Sequence, residues 1–74
     1  MFTIEILIKE VRETTGISLR KLEEETGIER EHLSDIEYGK IPTDKILFIE
    51  MVIISKALAC SITDLYIVKD VEIK

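Results

Sequence analysis

Residues 18 to 40, SLRKLEEETGIEREHLSDIEYGK, constrain the fold more than any other stretch of the chain. Leucines recur at helical spacing after Ser18, whose hydroxyl is a good N-cap for a helix over about 18 to 26. Gly27 then ends that helix, because glycine readily adopts the left-handed backbone found beyond helix C termini. A second helix is predicted over about 29 to 38. The stretch therefore predicts two short helices joined by a glycine turn.

This stretch resembles the helix-turn-helix of the Cro and cI repressor type, also called the XRE family. The residues that carry the resemblance are Ser18, Leu22, Gly27, Ile28, Leu33, Glu37 and Gly39. The likeness extends from about Ile4 to about Tyr66. It implies an all-α fold, a five-helix lambda-repressor-like DNA-binding domain with the helix-turn-helix at helices 2 and 3. The second helix of such a motif lies in the major groove of DNA.

The first helix is predicted over residues 3 to 14. Apolar side chains recur there at helical spacing, at Ile4, Leu7, Ile8 and Val11. Thr3 can cap the helix, and Gly16 ends it. A strand is the alternative, because the segment FTIEILI is rich in β-branched residues. The polar run KEVRETTG favours the helix.

Helix 4 is predicted over about 44 to 59, and a short helix 5 begins at Ser61. Helix 4 is apolar almost all round, so it requires burial on more than one side. A chain of 74 residues has too little protein to cover it, and we therefore expect a homodimer. The expected interface consists of Phe48, Val52 and Ala59 together with residues 66 to 73.

The helix-turn-helix domain is assigned to residues 1 to 66, and residues 67 to 74 form a C-terminal tail. That tail is either disordered or a short dimerising strand that pairs with a copy of itself. The expected core consists of Leu7, Ile8, Val11, Leu22, Leu33, Ile36, Leu47, Met51, Ile54 and Leu58.

The resemblance also implies functional residues. The base-reading positions of the XRE family correspond here to Arg30, Glu31 and Asp35. Arg30 can bind guanine through two hydrogen bonds, whereas the two carboxylates can only accept, as from the amino group of cytosine. Contacts to the DNA backbone are implied for Ser18, Arg20, Lys21, His32 and Lys40. A structural ion pair is implied between Arg12 and Glu37. The alternatives are an ordinary polar surface role for His32 and a free surface arginine at position 12.

The charge of the motif is unusual for a DNA-binding protein. Residues 18 to 40 carry four basic and seven acidic side chains, a net charge of −3 in a chain of net charge −5. This chain also has Leu19 and Glu23 where the XRE pattern has glutamine and alanine. Two functions remain open. One is a homodimeric DNA-binding transcriptional regulator whose DNA binding is weak and salt-sensitive. The other is an acidic protein-interaction module, such as an antirepressor, with little DNA binding.

The residue inventory gives no indication of an enzyme. One histidine and one cysteine, far apart, do not form a metal-binding pattern, and no nucleotide-binding loop or nucleophile elbow occurs. We expect no cofactor. Cys60 lies in the apolar segment KALACSI, which predicts a buried structural thiol and suits a reducing cytoplasm. Residues 1 to 8 lack the features of a signal peptide, and the longest apolar run is too short to span a membrane. We therefore expect a cytoplasmic protein.

Overall fold

The computed structural model describes residues 1–70 of the chain. In chain order its elements are β1 (Phe2–Ile6), α1 (Ile8–Thr15), α2 (Leu19–Thr26), α3 (Arg30–Glu37), a 3₁₀ turn (Thr43–Lys45), α4 (Phe48–Ala57), a second 3₁₀ turn (Ile62–Leu65) and β2 (Tyr66–Asp70). The protein is thus mostly helical with a helix-turn-helix at α2 and α3. The expectation of an all-α fold with five helices is corrected to four α-helices and a two-stranded sheet among these residues.

The hydrophobic core joins the four helices to the second 3₁₀ turn. Its buried apolar side chains are Ile8, Leu22, Leu33, Ile36, Met51, Ile54, Leu58 and Leu65. Leu7 and Val11, which were expected in the core, are half-buried. Leu47 is 59% exposed, so its assignment to the core is wrong. Most of the expected core is confirmed, because the apolar spacing of the three central helices follows the helical repeat.

The first half of the expected helix 1 is a strand. β1 pairs antiparallel with β2, with Phe2 opposite Asp70 and Ile6 opposite Tyr66. The segment FTIEI alternates apolar and polar side chains, as a strand with one apolar face does, and β2 supplies the partner for its backbone hydrogen bonds. α1 therefore begins only at Ile8, and Leu7 rather than Thr3 is its N-cap residue.

The C-terminal segment pairs within its own chain. Residues 66 to 70 form β2 beside β1, so the expected pairing of this segment with a copy of itself is not what the structure contains. Residues 71 to 74, the end of the expected tail, lie outside the described residues. The Leu7 amide donates to the Leu65 carbonyl at 2.8 Å, which ties the start of α1 to the turn that leads into β2.

Helix 4 is shorter than expected. The backbone is extended at Ile46 and Leu47, and α4 starts only at Phe48. The extended backbone allows Ile46 to pack against the core, which explains the late start. The expected helix 5 is a 3₁₀ turn, in which the Ser61 amide donates to the Asp64 carboxylate at 3.0 Å.

Candidate nucleic-acid interface

A glycine turn fixes α3 relative to α2. The Ser18 hydroxyl caps α2 by accepting a hydrogen bond from the Lys21 amide at 3.1 Å. α2 ends at Gly27, whose φ of 75° lies in the left-handed region. The Thr26 hydroxyl then accepts from the Ile28 amide at 3.1 Å. Ser18, an expected contact to the DNA backbone, thus uses its acceptor within the protein and keeps its O–H donor for another partner.

The N terminus of α3 is capped by a residue of α2. Its own N-cap residue, Glu29, makes no side-chain capping bond. Instead Glu23 Oε2 accepts from the Arg30 backbone amide at 2.7 Å, and Glu23 Oε1 accepts from Arg30 Nη2 at 3.2 Å. The sequence shows Glu23 only as a departure from the XRE pattern. A carboxylate seven residues before the group it caps matches no local capping motif, so this role could not be recognised without the structure.

The three expected base-reading residues all lie on α3. Arg30 and Glu31 are exposed, and Asp35 is half-buried. Glu31 and Asp35 stand one helical turn apart, so they share a face of the helix. The accessible part of α3 therefore presents one cation, Arg30, beside two carboxylates.

The cations of the motif lie next to carboxylates of the same motif. Arg20 is 3.7 Å from Glu24 and Lys21 is 3.1 Å from Glu25, both as i, i+4 pairs along α2. Lys40 lies 4.0 Å from Asp35, which belongs to α3. Together with the contact between Glu23 and Arg30, these pairs partly neutralise every basic side chain of residues 18 to 40. A phosphate must compete with these carboxylates for each contact.

Arg12 and Glu37 form an ion pair beneath the surface. Arg12 Nε donates to Glu37 Oε2 at 2.8 Å, and Arg12 Nη2 donates to Glu37 Oε1 at 3.0 Å. The Glu37 side chain is 0% exposed and that of Arg12 is 13% exposed. The hydrogen bonds to Glu37 raise the pKa of Arg12, against the opposing effect of burial. The pair joins α1 to the last turn of α3 and so positions the candidate reading helix.

His32 contacts α4, although its side chain remains 40% exposed. Its Nε2 lies 2.7 Å from Glu50 Oε2, and Glu50 Oε1 accepts from the Leu47 backbone amide at 3.0 Å. Glu50 thus caps α4 and holds α3 against it. The sequence did not indicate this role, because the expected helix 4 began at about residue 44 and placed Glu50 inside the helix, whereas α4 starts at Phe48.

The expected dimer residues differ in accessibility. Phe48 is 74% exposed, Ala59 is exposed and Val52 is half-buried. Phe48 lines an apolar groove of about 180 Å³ between the sheet and the start of α4. The sheet and the chain before α4 complete the lining, with Ile4, Ile6, Thr43, Ile46, Met51 and Tyr66. The structure therefore brings Phe48 and Tyr66 to one groove.

Other chemistry of the described residues is limited. Among residues 1–70 no three histidine, cysteine or acidic side chains are grouped so that they can hold a metal ion. No helix in that range is long and apolar enough to cross a membrane. Cys60 is half-buried, and desolvation raises the pKa of its thiol, with a smaller contribution from the Asp64 carboxylate.

Comparison with known proteins identifies the type of domain. Residues 8–65 match a protein-family model described as helix-turn-helix. The matched range begins at α1 and ends with the second 3₁₀ turn, so it contains the helical core but neither strand. A comparison with curated proteins finds no match.

Proposed function

The chain belongs to the XRE-type helix-turn-helix family of DNA-binding regulators, and from this premise we propose that it is a sequence-specific transcriptional regulator that acts as a homodimer. The observation that carries the proposal is the exposure of the first turn of α3, where the side chain of Arg30, the first residue of that helix, is 55% exposed. α3 enters the major groove, and Arg30 donates two hydrogen bonds to a guanine. Arg20, Lys21 and Lys40 contact phosphates from the flanks of the motif.

DNA binding is expected to be weak and strongly dependent on salt. Each phosphate contact contributes by releasing counterions. The carboxylates that lie beside Arg20, Lys21 and Lys40 compete for the same cations. In addition, Glu31 and Asp35 repel phosphates.

The test compares two arginine variants that each remove one positive charge. Arg30→Ala should weaken binding to a selected duplex by about 1–3 kcal/mol and relax the preference for guanine at one position. Arg20→Ala should weaken binding to all sequences alike and reduce the salt slope by about 1. Fluorescence anisotropy against a selected and a random duplex measures both effects. If Arg30→Ala binds both duplexes as the wild-type protein does, α3 is not the reading helix.

The acidic side chains of α3 supply the opposite control. Replacing Glu31 and Asp35 together by glutamine removes two negative charges from the proposed DNA surface. Binding to a random duplex should become tighter, because two repulsions with phosphates are lost. An unchanged affinity at low salt would mean that these residues do not face DNA.

The homodimer is proposed to form through the groove between the sheet and α4. Phe2 shares the face of β1 that lines the groove, and Phe2 and Phe48 are 71% and 74% exposed. Two such rings expose about 300 Å² per protomer, whose burial contributes about 7 kcal/mol at 25 cal/mol per Å². Two protomers together can therefore offset an association cost of about 4–15 kcal/mol.

Sedimentation equilibrium tests the dimer. Phe48→Glu should give a folded monomer, because the side chain is exposed within one protomer and its loss leaves the core intact. Lys56→Glu, which changes the charge by two units instead of one at an exposed position of the same helix, should leave the dimer in place. A wild-type protein that is still monomeric at high micromolar concentration would rule out this assembly.

One observation favours a second function, that of an acidic protein-interaction module. All four cations of the motif lie within 4.0 Å of a carboxylate, and the net charge of residues 18 to 40 is −3. Such a surface attracts a basic partner, such as the DNA-binding face of another regulator. A labelled arginine-rich peptide should then bind in a salt-dependent manner and lose affinity when Glu29 and Glu31 are replaced by glutamine, while a random duplex fails to bind even at low salt.

A further inference from the structure

One carboxylate holds both the backbone and the side chain of Arg30. Glu23 Oε2 accepts from the Arg30 backbone amide at 2.7 Å, and Glu23 Oε1 accepts from its Nη2 at 3.2 Å. Glu23 lies on α2 and is 33% exposed, so the contact is partly shielded from water. These two bonds fix the start of α3 and restrict the direction of the guanidinium at the same time.

This contact differs from the other ion pairs of the motif. Those of Arg20 and Lys21 join residues four apart on α2, and they leave α3 untouched. Glu23 instead reaches seven residues along the chain, across the glycine turn, to the first residue of the candidate reading helix. A cap alone requires only the bond to the Arg30 amide. The second bond, to the guanidinium, is the part that bears on recognition.

The geometry is compatible with base recognition. A guanidinium has five N–H donors in a rigid fork, and recognition of guanine uses two of them. The contact with Glu23 engages Nη2, and the side chain as a whole remains 55% exposed. An unrestrained arginine loses rotamer freedom when it binds a base, and an arginine that is already held loses less.

We infer that Glu23 is a positioning residue for Arg30, which fixes the guanidinium for guanine and thereby determines base preference at one position of the DNA site. The inference rests on the proposed function, because it presupposes that Arg30 reads a base. Glu23 stands where the XRE pattern has alanine. This chain therefore uses the position for recognition instead of close helix packing.

The experiment selects duplexes from a random pool at low salt with three proteins. They are the wild type, Glu23→Gln and the matched control Glu24→Gln, which removes the same charge from the neighbouring position of α2. Glutamine at position 23 retains an acceptor for the Arg30 amide but loses the charged partner of the guanidinium. Circular dichroism confirms that each protein is folded.

The wild type and Glu24→Gln should select the same guanine, preferred over the other bases by about tenfold or more. With Glu23→Gln that preference should fall to about twofold or less at this position only, while preferences at the other positions persist. A role confined to capping would lower thermal stability without altering one base preference. If Glu23→Gln does not fold, Glu23→Asp keeps the charge but is too short for both bonds, and it should show the same loss.

Two contrary results are distinguishable. If Glu23→Gln retains the guanine preference, or binds all sequences more tightly without losing it, Glu23 does not position Arg30, although the proposed function stands. If neither the wild type nor Glu24→Gln enriches any sequence, the proposed function fails, and the inference about Glu23 fails with it.

Discussion

Replacing Arg12 by alanine would leave the Glu37 carboxylate without its charged partner inside the protein. The Glu37 side chain is 0% exposed, so water cannot replace the two hydrogen bonds of 2.8 and 3.0 Å that Arg12 donates. The Ile17 carbonyl also loses the bond that it accepts from Arg12 Nη1 at 3.0 Å. The variant therefore isolates a buried charge and removes a link between α1 and α3.

The expected cost follows from this geometry. Removing one partner of a buried ion pair destabilises a protein by about 3–5 kcal/mol. Arg12 retains 13% exposure, which places the expected loss near the lower end, about 3 kcal/mol. At about 0.05–0.15 kcal/mol per residue, a chain of 74 residues has a total stability of roughly 4–11 kcal/mol. Arg12→Ala should therefore remove a quarter or more of the stability.

Urea unfolding followed by circular dichroism measures the loss, with two comparisons. Arg20→Ala removes an arginine that is 76% exposed and 3.7 Å from Glu24, so it should cost no more than about 0.5 kcal/mol. The double variant Arg12→Leu with Glu37→Leu removes both charges and should recover much of the loss, because no buried carboxylate remains. A cost below about 1 kcal/mol for Arg12→Ala, or a double variant no more stable than the single one, would refute this reasoning.

Two further predictions concern single residues away from the DNA surface. Gly27→Ala should destabilise the protein by about 1–2 kcal/mol, because the φ of 75° is strained for a residue with a Cβ, although no neighbouring atom blocks that Cβ. Gly27→Asn should cost less in the same urea assay, because asparagine adopts the left-handed backbone more readily. Equal costs for the two variants would contradict this explanation. Iodoacetamide should alkylate Cys60 at pH 8 more slowly than free cysteine, because burial raises the pKa of the thiol. The difference should disappear in denaturant, and a native thiol as reactive as free cysteine would contradict the prediction.

The residues of the helix-turn-helix could be predicted from the sequence because its determinants are local. Ser18 caps α2 and Gly27 ends it, as these two residue types alone indicate. Leu22, Leu33 and Ile36 are buried as their spacing predicts. A helix is specified by residues three or four apart, so a short stretch contains the information needed.

The choice between helix and strand for the first residues of the chain could not be made from local spacing. Ile4 fits both the helical face of the expected helix 1 and the apolar face of β1. The choice depends on residues 66 to 70, which pair with β1 from the far end of the chain. The late start of α4 has a similar cause, because Ile46 packs on the core with an extended backbone.

For the candidate site, the sequence by itself determined which residues belong to α3 and that its surroundings are acidic. Only the tertiary structure decided what each charge contacts. The bond that Glu23 accepts from the Arg30 amide and the contact between His32 and Glu50 cross between elements. Side chains that meet across elements need no regular spacing in the sequence, because the packing of the helices, rather than their repeat, brings the atoms within hydrogen-bonding distance.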